Sequence, residues 1–283
     1  MKLSNIALYS NDSEIASFSF RDPGGVNPYI IKGITGLDAD EIVPKFYGVS
    51  SDASKKYHTL SIPNRELSFY ISLNPMFTSG KSYSELRDDL YRAISSSRSG
   101  VTQVRLNDSL TTIAAVSGFI TSFETNHFDQ SPTVKITVWC DDGLLKGLSP
   151  IIVDTTPWLE PYFTIVDSYS TAPHGFKFKS TFVDQPDSYV IQEDPASGWT
   201  FTITPGLIGG LTGFEVGDEL YFSSEADNKY LYIIRSATTI HLLDKIVPGS
   251  SWPILFPGTN SFSTSLDTVT WDEVSYYPTY WGV

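Results

Sequence analysis

Trp252-Pro253-Ile254-Leu255-Phe256-Pro257-Gly258-Thr259-Asn260, with the alternating run Thr264–Tyr276 behind it, is a stretch made for walls and corners. Two prolines fix φ, a glycine is free to turn, and the aromatic and aliphatic side chains call for burial. It supplies nothing that a catalyst needs. The same pairing of strong architecture with absent active-site chemistry recurs along the chain and points to a part built into something larger.

Outward from that stretch, the second half reads as β throughout. Tyr162–Val166, Phe176–Lys179, Tyr189–Gln192, Trp199–Thr204, Glu219–Phe222, Lys229–Ile234, Thr239–Leu243 and Asp267–Trp271 are short apolar or alternating runs separated by turn residues. Short strands at this spacing predict a sandwich or barrel that needs no helix.

The first half reads as strands around one helix. Ile15–Phe20, Tyr29–Ile34, Glu66–Leu73, Gln103–Leu106, Ala114–Glu124 and Pro132–Cys140 are strand candidates, the last three joined by short connections and hence antiparallel. Over 83–97 the period changes: Leu86, Leu90, Ala93 and Ile94 share one helical face, while Arg87, Asp88 and Arg92 lie mostly on the other. Ser82 followed by Glu85 fits a capping box, and Gly100 is a candidate stop. Between Lys146 and Pro161 the residues Gly147, Pro150, Pro157 and Pro161 interrupt the pattern, which places a boundary between domains 1–150 and 151–283. The fold class expected is therefore mainly β.

At 283 residues, 41% hydrophobic and 14% aromatic, the chain has ample material for two cores. Its charge is unevenly spread. Residues 1–150 hold 14 Lys+Arg against 16 Asp+Glu (−2), and residues 151–283 hold 5 against 16 (−11), which sum to the total of −13. An acidic field repels phosphate backbones and anionic lipid, so sequence-specific nucleic-acid binding and membrane-surface binding are disfavoured, and membrane insertion is not expected either. No stretch approaches bilayer-spanning length, and the first residues lack the apolar core of a secretion signal. Cys140 is the one cysteine, which excludes an internal disulfide and a cysteine metal cluster, and its strand-like surroundings make it a buried hydrophobe. Folding in a reducing cytoplasm is the expectation.

A search for a site leaves catalytic, cofactor and metal residues unassigned. His58, His127, His174 and His241 lack the spacing that puts two imidazoles on one metal, and each reads as a surface or strand histidine. The segment Gly206–Gly213 is glycine-rich but lacks a phosphate-holding lysine, and a Gly-x-Ser-x-Gly elbow is missing. Paired carboxylates stay open, because separation in space is invisible here. The neighbours Asp218-Glu219 and Asp272-Glu273 read as turn or edge charges that would point to opposite faces of a strand. Among the rings, Trp199 and Trp271 sit in strand patterns where burial is usual, which leaves Trp252 and Trp281 as the candidates for sugar stacking.

The order of elements resembles the distal tail proteins of phages with long non-contractile tails. In the first half the likeness rests on the strand Arg65–Leu73, the helix Tyr83–Ser95, the strand Val101–Leu106 and the hairpin-like Gly118–Cys140 ending in Asp141-Asp142. In the second it rests on Gly217-Asp218-Glu219-Leu220-Tyr221-Phe222, on Trp252-Pro253-x-Leu255-x-Pro257-Gly258-x-Asn260, and on the terminal Tyr280-Trp281-Gly282. The resemblance implies an N-terminal β-sandwich with one helix that forms a hexameric ring, and a peripheral galectin-like β-sandwich. It further implies a non-enzymatic adaptor in the virion, between the tail tube protein and the tail-tip hub protein, with DNA passing through and receptor-binding proteins or tail fibres docking outside. Assembly in the host cytoplasm goes with it. Whether the last strand stays in the second domain or returns to the first is open. The rival expectation is a carbohydrate-binding protein that grips host glycans. Arg235, the one arginine after residue 150, leaves it little of the polar set that galectins use.

Overall fold

A computed structural model of the protein describes residues 3–21, 27–38, 43–48, 55–61, 64–75, 80–96, 100–108, 111–126, 132–155, 162–193, 200–208, 211–264 and 269–282. The chain is mainly β, with one α-helix among those residues. It divides into two compact units, Met1–Leu148 with Tyr280–Val283, and Ser149–Thr279.

The first unit contains β1 (Asn5–Ser10), β2 (Ser13–Ser19), β3 (Tyr29–Thr35), the separate hairpin β4 (Val43–Gly48) and β5 (Lys55–Ser61), β6 (Arg65–Leu73), helix α1 (Tyr83–Ser95), β7 (Thr102–Asn107), β8 (Thr112–Thr125), β9 (Thr133–Cys140) and β10 (Leu145–Lys146). Its main sheet runs β8-β7-β1-β2-β3-β6-β9 and returns to β8, closing a seven-stranded barrel where the family resemblance implied a sandwich. The cause is the length of β8. Its first half pairs with β7 from Thr112 to Gly118 and its second half with β9 from Gly118 to Thr125, with a register shift at Ile120/Ser122 that bends it. Gly118 is the pivot: a Cβ there would lie 2.3 Å from the Trp139 carbonyl oxygen and 2.8 Å from the Cys140 Cα. Only glycine lets two partners close on that residue.

Helix α1 follows the expected face, burying Leu86, Leu90 and Ile94 against the barrel core, while Tyr29 Oη donates to the Leu86 carbonyl at 3.0 Å. The capping box forms as read: Ser82 N–H donates to Glu85 Oε2 at 2.7 Å, and Glu85 N–H to Ser82 Oγ at 3.3 Å. The helix ends at Ser95, short of the expected 97 and well before Gly100. Ser96 terminates it instead, with its Oγ donating to the Ala93 carbonyl at 2.7 Å. Strand β1 escaped the reading because Ile6, Ala7 and Leu8 are buried in succession, which breaks the period of two.

The second unit contains β11 (Ile151–Ile152), β12 (Tyr162–Asp167), β13 (Lys177–Phe182), β14 (Tyr189–Glu193), β15 (Thr200–Ile203), β16 (Leu207–Ile208), β17 (Leu211–Thr212), β18 (Glu219–Ser223), β19 (Tyr230–Arg235), β20 (Thr238–His241), one 3-10 turn at Leu243–Lys245, β21 (Gly258–Thr264) and β22 (Val269–Tyr276). One sheet runs β11-β22-β13-β18-β19-β20, a second runs β12-β21-β14-β15, and β16 pairs with β17. Alternate residues of both larger sheets meet in one aromatic core that includes Phe163, Phe178, Phe182, Phe201, Phe222 and Phe262. Stacked pairs such as Phe178–Phe222, with centroids 4.7 Å apart, add to the area they bury.

After β22 the chain leaves the second unit. The last strand, β23 (Thr279–Tyr280), joins the barrel sheet beside β10, and Tyr280 enters the first core. This answers the question left open by the sequence. Arg65 then donates through Nη2 to the Trp281 carbonyl and through Nη1 to the Leu37 carbonyl at 3.3 Å, so the returning segment supplies one acceptor to a guanidinium that is itself buried.

Candidate functional surfaces

The Trp252–Asn260 stretch turns out to be a corner with its own internal frame. Asn260 Oδ1 accepts from Phe256 N–H at 2.7 Å, and Asn260 Nδ2 donates to the Phe256 carbonyl at 2.7 Å and the Gly258 carbonyl at 3.2 Å. Gly258 takes φ +102°, the left-handed region that the turn after Pro257 needs. Leu255 is fully buried and trades backbone hydrogen bonds with His174 at 3.0 and 2.7 Å. Trp252 is half-buried against Phe201 at 5.1 Å and Phe222 at 5.5 Å, with Lys229 Nζ 5.3 Å from its ring. Its ring is committed to packing.

His174 anchors a buried polar cluster that the sequence reading missed when it placed every histidine on a surface or strand. Nδ1 faces the Gly175 carbonyl at 2.8 Å, while Nε2 faces both Asp167 Oδ2 and Ser170 Oγ at 2.9 Å. Asp167 Oδ1 accepts from the N–H groups of Tyr169 at 3.1 Å and Ser170 at 3.0 Å. Burial alone would raise the Asp167 carboxyl, but these donors and His174 hold it below its ordinary value. Asp, His and Ser together suggest a nucleophilic relay, yet such a relay needs hydroxyl and carboxylate on opposite ring nitrogens. Here they share one. The cluster serves as a clamp: Ser170 Oγ accepts from Thr279 N–H at 3.1 Å, and the Thr279 carbonyl accepts from Thr171 and Ala172 N–H at 2.9 and 3.1 Å. No spacing rule in the sequence marks Asp167, Ser170 and His174 as neighbours.

The Asp218-Glu219 pair separates as expected, whereas the Asp272-Glu273 pair does not: a register shift in β22 leaves both exposed on the face of Lys179. Asp218 closes a turn with Glu215, as read, but is buried there, and Arg235 binds it through Nε to Oδ1 at 2.8 Å and through Nη2 to Oδ2 at 2.5 Å. Glu219 faces the other way, to Lys179 at 2.9 Å. On that outer face Lys179, Tyr221, Tyr232 and His241 form one cross-strand row. Tyr221 and Tyr232 stack on each other at 4.9 Å and 9°, and Lys179 lies 5.6 Å from the Tyr221 ring, so the ring faces are covered by neighbours. Asp272 accepts from Thr181 Oγ1 at 2.7 Å, and Glu273 stands in register with Lys179.

Cys140 is buried, as expected, and burial pushes its thiol up to about 12. His127 and Trp199 lie outside the described residues, as do Gly209 and Gly210, and the side chain of His58 is likewise outside them. Among the described residues no group of three or more His, Cys, Asp or Glu is placed to hold a metal ion, and no helix is long and apolar enough to cross a membrane.

No family model and no curated protein matches the sequence. Solved structures do. The Dit protein of phage SPP1, described as a paradigm of the hub adsorption apparatus in phages infecting Gram-positive hosts, superposes with a TM-score of 0.59 at 12% identity, over 97% of this chain and 98% of that one. Chains of the phage p2 baseplate in its activated conformation align over 97% and 99% of this chain, at TM-scores of 0.38 and 0.40 and identities of 8% and 9%. The likeness to the SPP1 protein is one of fold.

Proposed function

We propose that this chain is a structural protein of a phage tail tip, a distal tail protein whose copies close a hexameric ring between tail tube and tail-tip hub. One observation carries the reading: the fold of a phage hub adsorption protein is matched along 97% of the chain, through both units. Identical subunits close a ring by repeating one heterologous contact, which requires complementary faces and no bond chemistry. The first unit, nearly neutral over residues 1–150, forms the ring as a sandwich-like barrel around a channel for DNA. The galectin-like second unit, which carries −11 over residues 151–283, stays outside in solvent and offers docking to receptor-binding proteins or fibres. The proposed location is the virion, after assembly in the host cytoplasm.

The glycan-binding alternative asks for open aromatic platforms, and the packing of Trp252 on Phe201 and Phe222 favours the structural reading. Negative-stain imaging with a solution mass decides between them. A six-fold annulus is the expected result. A single subunit retained on a glycan array, with retention lost in Trp252→Ala, would overturn the proposal.

A further inference from the structure

We propose that the outer face of β6, β9 and β8, centred on Trp139 and Phe119, is a surface through which one copy of this chain meets the next. The inference rests on the ring reading above and adds the place of contact. The registers put three rows across this face: Glu66-Trp139-Phe119, then Ser68-Thr137-Ser122, then Tyr70-Lys135-Glu124. Trp139 and Phe119 are each 38% exposed and Tyr70 is 40% exposed, although neighbouring residues on the same strands point into a fully buried core. Large rings left in water at adjacent positions are the composition of an interface centre.

The middle row is already buried within the chain at Ser68 and Thr137, which are 3% and 5% exposed and bond to each other through their hydroxyls at 3.0 Å. The ground open to a partner is therefore the Trp139–Phe119 pair and Tyr70, and Thr121 Oγ1 beside them donates to the Thr137 carbonyl at 3.3 Å. Lys135 stands opposite Glu124 and lies 6.0 Å from the Tyr70 ring. Strands β6 and β9 are paired along both edges, so over them a neighbour must meet side chains, while β8 beyond Gly118 is paired, among the described residues, with β9 alone.

Charge selects the occupant. Each copy carries −13, so identical subunits can press together only where signs nearly cancel. On this face Lys135 offsets Glu124 and leaves Glu66 alone. The outer face of the second unit's larger sheet sets Glu219, Asp272 and Glu273 around Lys179, and its rings already stack on one another. A basic foreign partner would be drawn to acidic ground, whereas a second copy fits the neutral aromatic patch.

The test compares the full chain with Phe119→Ser, Trp139→Ser and their double variant, and with Tyr162→Ser on the second unit as control, by light scattering across concentration and by thermal melting. Expected is a wild-type assembly at least tenfold weakened in the double variant at an unchanged melting temperature, with the control assembling as wild type. Tyr70→Ser, a change at one exposed ring, gives a second reading should the double variant melt early, and it too weakens assembly. If folded variants assemble like wild type, this face is not the seam and the inference falls while the ring reading stands. A wild-type chain that stays single at every concentration overturns both.

Discussion

At the scale of single residues, two positions hold more of the fold than their size suggests. Gly118 lets β8 serve two partners, and Gly118→Ala would drive a methyl group into the Trp139 carbonyl. A cost of about 1–3 kcal/mol or more is expected from such overpacking, read as a lowered denaturant midpoint. Asp167 is the other. Its carboxyl is held below the ordinary value, so its stabilising effect is present at neutral pH and is lost as pH falls through the depressed value. The second unit should therefore weaken in acid, beginning below about pH 4. Asp167→Asn should melt earlier than wild type at pH 7 and show a flatter decline in acid, and a parallel decline in both proteins would refute the assignment. Neither residue announces itself in the sequence. Gly118 looks like any glycine in a strand, and Asp167 becomes special only when His174 folds back onto it.

At the scale of elements, helix α1 shows what local patterning can carry. Its start is written in Ser82 and Glu85 and its buried face in Leu86, Leu90 and Ile94, all legible because both signals lie within a few residues. Ser82→Ala should cost roughly 1 kcal/mol through loss of the cap, measurable as a small drop in the thermal midpoint, with little change in assembly. The strand β1 was illegible for the opposite reason, since Ile6, Ala7 and Leu8 are all covered and alternation vanishes. Barrel closure was hidden too: pairing of β8 with β9 and with β7 is a relation between distant segments, and alternation records only which side chains are inward. The clamp of Asp167, Ser170 and His174 on Thr279 was equally out of reach, because Ser170 and Thr279 are 109 positions apart.

For the whole molecule, the division of charge governs association. With −13 on each copy, assembly is opposed by long-range repulsion that salt screens over about 10 Å at 0.1 M. Raising ionic strength from low values should strengthen self-association, as followed by sedimentation, and weakening by salt would mean that the contact is made by opposite charges. Removing residues 280–283 should destabilise the first unit, since Tyr280 leaves its core and Arg65 loses the Trp281 carbonyl. The melt of that truncated chain should show the barrel unfolding early while the aromatic core of residues 149–279 holds. The same connectivity sets an order of events on the ribosome. Tyr280 and Trp281 are translated after the whole of residues 149–279, so the barrel waits for its final pieces until the second unit has been made. A nascent chain thus carries the seven strands that close the barrel long before the ring of Tyr280 that fills its core and the Trp281 carbonyl that Arg65 uses, and the last step of synthesis is what consolidates the first unit.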